Sequence, residues 1–525
     1  MASHSLKAID VPFPNRPFHH FIESAALRFP ERIALRFADE RYTYRELDAL
    51  ANSFANALRE LGICAGDRTA ICLTNRPEWI IAFYGISKLG AAAVIMSSAW
   101  KEGEIRHALD LTQPAAVVGD GPGMSSPGFA GVPVKIAADA APPGWHSFWG
   151  VIERASAEPL AELDVDLATA ELALPFSSGT TGLPKAVRHS HRSLVAGTVQ
   201  WKTSLQLDEH DAIQVYTPMA HILGIVNTSA AIAAGAPVRL FKRFELERVL
   251  QSIQDDHITV GIAVGPIAAA MADFPDLERY DLGSLRYFNW SATPVVERVA
   301  TKFTDRTGVR WLQGYGATES LVMFANPVKY PDEWRLDSPG VAVAGVEAQI
   351  VDPSTLEPVP PGQSGELIVR NPSTALGYLP DSADREVFLP DGWYRTGDIG
   401  WMEPEGWLHI TDRLREMIKV SGFQVAPAEV EGVLRQHPDI ADCAVFGIDD
   451  ESKGQVPHAA IVLWPGSRLE EQEIKQWMDV RLAGYKKLAA VHLVEEIPRT
   501  ASGKVLRRIL KAEFSGLPIP VSLPR

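Results

Sequence analysis

The sequence has little of what marks several classes of protein. Its 525 residues include only three cysteines, Cys64, Cys72 and Cys443, none at the close spacing of metal ligands. This scarcity argues against a disulfide framework and predicts buried thiols in a reducing, cytoplasmic compartment. The net charge of −15 predicts neither a nucleic-acid-binding surface nor a polybasic membrane anchor.

Long hydrophobic runs are also scarce. The chain opens without the basic stretch and apolar run of a secretory signal, so none is predicted. Residues 212–238 lack Asp, Glu, Lys and Arg, but they include Pro218, His221, Asn227 and Pro237. A membrane-spanning helix of about 20 residues would have to bury these groups in lipid. We therefore predict a helix buried in a protein core.

What remains has the composition of an ordinary globular protein, with 46% hydrophobic and 22% charged residues. A chain of 525 residues exceeds one typical core, so two or more domains are expected. Up to Asp412, short apolar runs alternate with helical segments, which predicts an α/β arrangement with mostly buried sheets. Beyond it the pattern predicts a smaller α+β unit. The predicted domains are residues 1–412 and 413–525.

One helix can be bounded from the sequence alone. Thr43 and Glu46 have the spacing of a capping box. Apolar residues then recur at helical spacing until Gly62, which predicts an amphipathic helix on a larger core.

The most informative stretch follows an apolar, strand-like segment. Residues 176–185 read Phe-Ser-Ser-Gly-Thr-Thr-Gly-Leu-Pro-Lys. Gly179 and Gly182 let the backbone approach an anion closely, and Lys185 adds a positive charge. Short hydroxyl donors come from Ser177, Ser178, Thr180 and Thr181. A phosphate-binding loop is predicted, but not a Walker A loop, because a Leu-Pro pair follows the second glycine. Taken alone, the stretch also fits a flexible surface loop.

Further motifs follow in order along the chain. They are Gln313-Gly-Tyr-Gly-Ala-Thr-Glu319, Tyr394-Arg-Thr-Gly-Asp398, Asp412-Arg413 with Lys419-Val-Ser-Gly422, and Pro498-Arg-Thr-Ala-Ser-Gly-Lys504. Together with the loop they resemble the motif set of the adenylate-forming superfamily, which includes acyl-CoA synthetases, peptide-synthetase adenylation domains and luciferases. The sequence of residues 423–429 closely resembles that of plant coumarate-CoA ligases. The resemblance implies a large N-terminal domain of several subdomains and a small mobile C-terminal domain.

The resemblance also implies the reaction. An AMP-forming carboxylic acid–CoA ligase first adenylates an acid and then transfers the acyl group to a thiol. ATP, Mg²⁺ and coenzyme A as co-substrate are the expected cofactors. The expected partners are these small molecules and the acid, with no nucleic acid and no integral membrane, and a homodimer is compatible with the resemblance. Because two anions meet in the first step, cations and N–H donors are needed.

Roles follow residue by residue from the resemblance. Lys504 would bridge the substrate carboxylate and the α-phosphate, Thr318 would reach the α-phosphate, and Glu319 would bind Mg²⁺, which prefers one or two carboxylates plus phosphate oxygens. Asp398 and Arg413 would contact the ribose. The predicted adenine slot consists of Ser291, Ala292, Thr293, Gln313, Gly314, Tyr315, Gly316 and Ala317, with Tyr315 stacking on the base. Taken singly, Glu319 and Lys504 also fit solvated surface residues, and Asp398 fits an ordinary turn.

For the second step, the family rotates its C-terminal domain. Arg415 matches the pivot of this rotation. The residues expected to line the pantetheine tunnel are Lys419, Ser421, Gly422 and Gln424.

The acid-binding pocket is predicted from residues 218–224 and from positions where the other motifs of this sequence differ from those of the family. Its predicted lining is His221, Ile222, Leu223, Trp290, Gly314 and Met323. His221 would form a wall against the acyl group and is counted with the catalytic candidates, although a histidine satisfied in the core fits as well. Leu223 stands where coumarate-CoA ligases carry a tyrosine near the ring hydroxyl, which argues against hydroxycinnamate. Trp290 and Ser291 stand where the family usually has two smaller residues, serine and glycine. An apolar acid, aryl or medium-chain aliphatic, is predicted.

Other functions remain as alternatives. A stand-alone adenylation enzyme that loads an acyl carrier protein has the same motifs. A silent nucleotide-binding module is disfavoured because Glu319, Asp398 and Lys504 are all present. A luciferase-type oxygenation is considered only as a side activity.

Overall fold

The computed structural model describes residues 11–177, 184–293, 295–381, 386–414, 416–420, 423–450, 453–482, 484–499 and 505–515, without the side chains of residues 122, 123, 423, 424 and 485. The chain divides into two compact units. The first is Met1–Ala348 with Val369–Arg395, and the second is Gln349–Ile368 with Thr396–Arg525.

The strands of the described residues are β1 (Ile33–Phe37), β2 (Glu40–Thr43), β3 (Arg68–Cys72), β4 (Ala92–Ile95), β5 (Ala116–Gly119), β6 (Val134–Ala137), β7 (His146–Ser147), β8 (Glu171–Ser177), β9 (Lys185–Ser190), β10 (Ile213–Val215), β11 (Val238–Leu240), β12 (Val260–Ala263), β13 (Tyr287–Trp290), β14 (Trp311–Tyr315), β15 (Phe324–Ala325), β16 (Val341–Ala342), β17 (Glu347–Val351), β18 (Gly365–Arg370), β19 (Gly377–Leu379), β20 (Tyr394–Met402), β21 (Leu408–Arg413), β22 (Ile418–Val420), β23 (Phe423–Val425), β24 (Ile440–Asp450), β25 (Gly454–Leu463) and β26 (Ala490–Leu493). The α-helices are α1 (His20–Arg28), α2 (Tyr44–Glu60), α3 (Pro77–Leu89), α4 (Glu102–Thr112), α5 (Phe148–Ile152), α6 (His191–Ser204), α7 (Ile222–Ala234), α8 (Leu246–Asp255), α9 (Gly265–Asp273), α10 (Glu297–Thr307), α11 (Pro427–Leu434), α12 (Glu471–Asp479) and α13 (Arg507–Ser515).

Two large sheets organise the first unit. One has the strand order β16-β15-β14-β13-β12-β10-β11-β1-β2, and the other has the order β19-β9-β8-β4-β3-β5-β6-β7. The central pairs are parallel, including β12 with β13 and β13 with β14. Because parallel strands end at the same edge, the segments that follow β13 and β14 emerge side by side, where open α/β sheets usually bind ligands.

The nine-stranded sheet is covered on both faces. Tyr287 and Leu312 belong to a core that also contains α2, α3, α6 and α7 residues. Phe288, Trp290 and Trp311 belong to a second core with residues of α8, α9 and α10. This alternation follows from the two-residue period of strands, and it sets which side chains of β13 and β14 share a face.

Two smaller sheets lie further along the chain. One has the order β17-β18-β20-β21, and the other has the order β23-β22-β25-β24 with β26 paired to β25. The second of these sheets packs its own core with α11 and α12.

Two helix predictions are confirmed. In the capping box before α2, Thr43 Oγ1 accepts the Glu46 N–H at 3.2 Å and the Glu46 carboxylate accepts the Thr43 N–H at 2.8 Å. The uncharged run contains β10 and then α7, which is almost wholly buried and only 13 residues long. At 1.5 Å per residue it is about 20 Å long, short of a bilayer core of about 30 Å. Across the described part of the chain, every helix is too short or too polar to cross a membrane.

Candidate active site

The predicted Mg²⁺ and α-phosphate residues follow β14 and are held from two sides. The Tyr378 hydroxyl donates to Glu319 Oε1 at 2.8 Å, and the Ala375 N–H donates to the Glu319 carbonyl at 2.8 Å. His189 Nε2 lies 2.7 Å from the Thr318 carbonyl oxygen. Since a carbonyl only accepts, His189 Nε2 is the donor. The Thr318–Glu319 segment is therefore fixed at both residues.

His189 is suited to this task because it stays neutral. Its side chain is fully buried, and burial lowers the pKa of His189 to about 4. Its other ring nitrogen, Nδ1, lies 3.0 Å from the Ser193 hydroxyl. A neutral imidazole with both nitrogens engaged gives one fixed orientation, so His189 anchors Thr318 across the first unit.

Lys185 belongs to the same arrangement. It begins β9, the strand that also carries His189, and its Nζ lies 5.0 Å from the centroid of the Tyr378 ring. Tyr378 is on β19, which pairs antiparallel with β9. One tyrosine thus contacts both a predicted phosphate ligand and the predicted Mg²⁺ ligand.

A buried amide network supports the residues that follow Glu319. Asn371 Nδ2 donates to the Ser320 hydroxyl at 2.8 Å and to the Val322 carbonyl at 2.9 Å. Gln200 Nε2 in turn donates to Asn371 Oδ1 at 2.8 Å. These supports come from α6 and from the chain just after β18, and the sequence motifs do not include them.

The residues present fit a magnesium ion that takes its other ligands from the phosphates of ATP. Glu319 supplies one carboxylate, and no group of three or more His, Cys, Asp or Glu side chains that could hold a metal occurs among the described residues. Mg²⁺ commonly takes one or two carboxylates and completes its octahedron with water and substrate phosphates. The single carboxylate of Glu319 fits a Mg²⁺ ion whose other ligands are water and the phosphates of ATP.

The ends of the predicted phosphate loop come together. Ser177 ends β8 and Lys185 begins β9, and these two residues are partners in the antiparallel ladder. The predicted ligands that lie outside the described residues are Ser178, Gly179, Thr180, Thr181 and Gly182 in this loop, and Arg415, Ser421, Gly422 and Lys504 later in the chain.

The first half of the predicted adenine slot has an unusual backbone. Ala292 has φ +65°, in the left-handed region that non-glycine residues seldom occupy. Beside it, Thr293 Oγ1 accepts the Trp290 indole N–H at 3.0 Å and the Gly265 N–H at 2.9 Å. The Ser291 hydroxyl donates to Asn289 Oδ1 at 2.5 Å. These three bonds tie residues 291–293 to β13 and to the start of α9.

The second half of the slot, residues 313–317, approaches its neighbours closely. Gln313 Nε2 donates to the Leu336 carbonyl. A Cβ added at Gly316 would lie 2.0 Å from the Leu321 carbonyl oxygen, so only glycine fits there. The Ala317 N–H donates to the Ser320 carbonyl at 2.9 Å. Tyr315 is half-buried, and its ring centroid lies 6.3 Å from that of Phe324.

In the second unit, the two predicted ribose residues face each other. Asp398 on β20 is the ladder partner of Arg413 on β21, and Arg413 Nε lies 2.8 Å from Asp398 Oδ1. The Asp398 side chain is 5% exposed whereas that of Arg413 is 41% exposed. Lys419, on β22, is exposed, and its backbone lies opposite that of Gln424 on β23. The structure does not describe the Gln424 side chain.

The predicted acid-binding segment is held at the start of α7. His221 caps this helix, with its Nδ1 accepting the Leu223 N–H at 3.3 Å, and burial lowers the pKa of His221. A Cβ at Gly224 would come within 2.5 Å of the Pro218 carbonyl oxygen, so glycine is required at this tight approach. Ile222 is buried and Leu223 is half-buried.

Asn75, which the sequence motifs did not single out, fixes the same segment. Its buried carboxamide donates to the Thr217 carbonyl at 2.9 Å and accepts the Met219 N–H at 2.8 Å. The carboxamide thus pairs with one backbone carbonyl and one backbone N–H, as a neighbouring strand would. It connects the loop after β3 to the segment that leads into His221.

The remaining predicted pocket residues do not share one face. Gly314 lies against Trp201, because a Cβ there would be 2.9 Å from the indole ring. Met323 is fully buried, and its N–H donates to the Tyr315 carbonyl at 2.9 Å. Trp290 points into the core on the opposite face of β13, with its ring 5.2 Å from that of Trp311.

Comparisons with known proteins agree with this architecture. The AMP-binding enzyme family matches residues 22–379, and the C-terminal domain of AMP-binding enzymes matches residues 429–504. 4-Coumarate–CoA ligase 5 of Oryza sativa subsp. japonica is 33% identical over 525 residues, which cover 97% of this chain and 97% of the relative. 4-Coumarate–CoA ligase CCL1 of Humulus lupulus is 33% identical over 529 residues, with coverage of 97% and 96%. The crystal structure of the anthranilate CoA ligase AuaEII in complex with anthranoyl-AMP superposes with a TM-score of 0.87 at 27% identity, covering 97% of this chain and 99% of that one.

These matches show that the chain belongs to the AMP-binding enzyme family of the adenylate-forming superfamily. Within that superfamily it is similar to coumarate-CoA ligases and is an AMP-forming acid–thiol ligase. The predicted family, fold class and enzyme class are confirmed.

Proposed function

We propose that the protein is an ATP- and Mg²⁺-dependent ligase that activates an apolar acid, aryl or medium-chain aliphatic, and transfers the acyl group to coenzyme A. The arrangement around Tyr378 supports this proposal most strongly. Its hydroxyl bonds to Glu319, its ring lies beside Lys185, and Thr318 is tied to the Lys185 strand through His189. A carboxylate, a hydroxyl and an ammonium group in one region suit a nucleotide triphosphate with its cation.

In the first step, the acid carboxylate attacks the α-phosphorus and the bond to the β-phosphate breaks, so pyrophosphate leaves. Lys185 and the preceding loop hold the departing phosphates, and the Thr318 hydroxyl donates to an α-phosphate oxygen. Bound through Glu319 and phosphate oxygens, Mg²⁺ would neutralise part of the charge on the leaving pyrophosphate. Tyr378 keeps the Glu319 carboxylate oriented for this contact.

Lys504 keeps the role that the resemblance implies, with its ammonium group between the acid carboxylate and the α-phosphate. Lys504→Ala should slow adenylation by roughly 10²-fold or more, in the range of other electrostatic stabilisers. The variant should still convert a supplied acyl-adenylate to acyl-CoA. Equal loss in both half-reactions would contradict this assignment.

In the second step, a thiolate attacks the carbonyl of the acyl-adenylate and AMP leaves. We assign Arg415 as the pivot and Lys419, Ser421, Gly422 and Gln424 as the pantetheine contacts, by resemblance. A carrier-protein thiol is the alternative acceptor. The two acceptors differ in whether free coenzyme A is sufficient for product formation.

The acid class is supported by the surroundings of His221. Ile222 and the half-buried Leu223 pack with the large apolar core of the first unit. The related proteins are named for aromatic acids, 4-coumarate and anthranilate. An aryl acid is therefore the first class to test.

The decisive experiment is a screen of carboxylic acids with ATP and Mg²⁺, with and without coenzyme A. With coenzyme A present we expect pyrophosphate, AMP and acyl-CoA in equal amounts, and without it pyrophosphate and acyl-adenylate but no acyl-CoA. Release of ADP and orthophosphate would overturn the proposal. Acyl-adenylate that accumulates with coenzyme A but is consumed by a phosphopantetheinylated carrier protein would establish the alternative acceptor.

A cytoplasmic location is part of the same proposal. Cys64, Cys72 and Cys443 are all free thiols, and burial raises the pKa of Cys72 and Cys443 to about 12. The two buried thiols stay protonated and unreactive. Cys64 is exposed, so the prediction of buried thiols is wrong for this residue. Cell fractionation tests the location, and light scattering tests whether the protein is a homodimer.

A further inference from the structure

We infer that Arg507 is a positioning residue of the ligase reaction, because it ties the lysine motif, residues 498–504, to the segment that follows the predicted pivot. The inference rests on the proposed function, in which Lys504 acts in adenylation and Arg415 is the pivot. The resemblance assigns no role to Arg507. We expect this residue to matter more for the first half-reaction than for the second.

Arg507 is the first residue of α13 and lies three residues after Lys504 in the chain. Each of its three guanidinium nitrogens binds a different partner. Nε donates to the Val445 carbonyl at 2.8 Å, Nη2 donates to Glu431 Oε1 at 2.7 Å, and Nη1 donates to Glu416 Oε2. Because all three nitrogens are engaged by the protein, we assign Arg507 a positioning role and not a contact with the substrate.

Glu431 is the centre of this arrangement. It lies on α11, and its side chain is 4% exposed. Its Oε1 accepts the Val445 N–H at 2.9 Å in addition to the bond from Arg507, and its Oε2 accepts from Arg435 at 3.0 Å. Helix α11, strand β24 and helix α13 are therefore joined at one buried carboxylate.

The lysine motif is also held at its other end. Arg499, the second residue of the motif, donates from Nη2 to both carboxylate oxygens of Asp442 on β24, at 2.9 and 2.8 Å. Arg499 and Val505 form an antiparallel bridge, and the Leu506 N–H donates to the Pro498 carbonyl at 2.8 Å. The two flanks of the motif are therefore fixed to each other and to β24.

Glu416 connects this arrangement to the predicted pivot. It is the residue after Arg415, and its side chain is 17% exposed. Arg507 pairs with Glu416 as it does with Glu431, so one guanidinium joins residues that lie 91 and 76 positions away in the chain. Within the second unit, the segment after the pivot and the lysine motif are thus connected through a single side chain.

The chemistry of these ion pairs favours a positional role over a contribution to stability. Removing a guanidinium and two carboxylates from water has a cost that their attraction roughly offsets, and apolar residues of the same volume often stabilise a fold equally well. The planar guanidinium adds a fixed direction for each of its hydrogen bonds. In the proposed mechanism, movement at the pivot passes from Glu416 through Arg507 to the lysine motif. Adenylation, which uses Lys504, should therefore depend on Arg507 more than thioester formation does.

The first test compares the two half-reactions in Arg507→Lys and Glu416→Gln. Arg507→Lys keeps the charge but offers one nitrogen to three partners. Adenylation is measured as pyrophosphate release, and thioester formation is measured from a supplied acyl-adenylate with coenzyme A. We expect adenylation to fall about 10- to 100-fold in Arg507→Lys, the range for loss of a hydrogen bond between charged groups, and thioester formation to fall less than about threefold.

Glu416→Gln isolates the connection to the pivot. It removes one ion pair, while Arg507 keeps its bonds to Glu431 and Val445, so the test remains valid if Arg507→Lys does not fold. Adenylation should fall about tenfold, again with thioester formation little changed. Arg508→Lys is the matched control, because Arg508 is the next residue and is exposed. It should keep wild-type rates in both half-reactions.

A double-mutant cycle with Lys504 separates positioning from a general structural role. If Arg507 acts through Lys504, Arg507→Lys should have almost no further effect on adenylation in a Lys504→Ala enzyme, because the group that it positions is gone. The same holds for Glu416→Gln. A structural defect alone would lower the rate of the Lys504→Ala enzyme by the same factor as that of the wild type.

The outcomes separate the inference from the proposed function. Equal losses in both half-reactions, or equal factors with and without Lys504, would overturn the inference while the ligase function stands. Wild-type adenylation in Arg507→Lys and Glu416→Gln would also overturn it, since the connection would then have no use in the reaction. No AMP from the wild type with any acid would instead contradict the proposed function.

Discussion

The two units hold their candidate nucleotide-binding residues in different ways. In the second unit, Asp398 and Arg413 are ladder partners on neighbouring strands and pair directly at 2.8 Å. In the first unit, Thr318 and Glu319 are held by side chains 129 and 59 residues away, those of His189 and Tyr378. The Asp398–Arg413 pair of the second unit thus joins two motif residues directly, whereas Thr318 and Glu319 of the first unit depend on supports outside their motif.

The largest loss of activity is expected from a change at the Glu319 carboxylate, the group that the supports of the first unit hold in place. Glu319→Gln keeps the shape and the contact with Tyr378 but removes the charge that suits Mg²⁺. We expect kcat for pyrophosphate release to fall about 10²- to 10³-fold, the range for one electrostatic stabiliser. Calorimetry should show weaker binding of Mg²⁺·ATP than in the wild type.

The control for this change is Glu347→Gln, a glutamate of the same unit that pairs with Arg370 on the surface. It should keep wild-type activity. A Glu319→Gln enzyme with normal dependence on Mg²⁺ concentration would remove Glu319 from the metal assignment.

The ribose pair is tested by Asp398→Asn. This substitution removes a charge-assisted contact to Arg413 and weakens the acceptors offered to the ribose hydroxyls. Hydrogen bonds to charged groups contribute about 1.5 to 3 kcal/mol, so KM for ATP should rise roughly 10- to 100-fold. The variant should also lose discrimination between ATP and its 2′,3′-dideoxy analogue. If discrimination persists, the ribose contact lies on other residues.

The sequence predicted one local feature well, the start of α2, while the roles assigned to the site residues stay predictions. The capping box of Thr43 and Glu46 depends on a spacing of three residues and is formed as expected. The partnership of Ser177 and Lys185 brings together the two ends of the predicted phosphate loop. The pairing of Asp398 with Arg413 likewise joins two motif residues across neighbouring strands.

The supports of the site could not be predicted because they depend on tertiary folding. Asn75 bonds to residues 142 and 144 positions away, and nothing in its own neighbourhood signals that contact. His189 and Tyr378 acquire their partners only because β9 and β19 pair and pass beside the segment after β14. The strand period explains why Trp290 and Asn289, adjacent in sequence, point into different surroundings.

Tyr378→Phe tests the contribution of one support in the first unit, because it removes the hydroxyl that holds Glu319 and leaves Glu319 itself intact. The lost hydrogen bond to a carboxylate should cost about 1.5 kcal/mol, or roughly tenfold in activity. We expect the Mg²⁺ concentration for half-maximal rate to rise, while the KM for the acid stays near the wild-type value. Phe388→Leu, which alters a neighbour of the Tyr378 ring at 5.4 Å, controls for packing. Equal effects of both variants would mean that the hydroxyl has no separate role.

The smallest expected effect concerns Asp412, which supports the ribose pair by accepting the Arg413 N–H at 2.7 Å and the Ala428 N–H at 2.7 Å. Burial raises the pKa of Asp412 from 3.8 to about 6, while Arg507 opposes this shift and Glu416 adds to it. A carboxyl with a raised folded-state pKa contributes stability that is complete below pH 4 and is lost as the pH rises through 6. Between pH 5 and 7.5 this group should therefore lower the free energy of unfolding by about 1 to 1.5 kcal/mol. Asp412→Asn removes the titration, so the stability difference between variant and wild type in urea unfolding should change by that amount over this range. A difference independent of pH would show that Asp412 stays ionised in the folded protein, with the Ala428 and Arg413 N–H groups outweighing its burial.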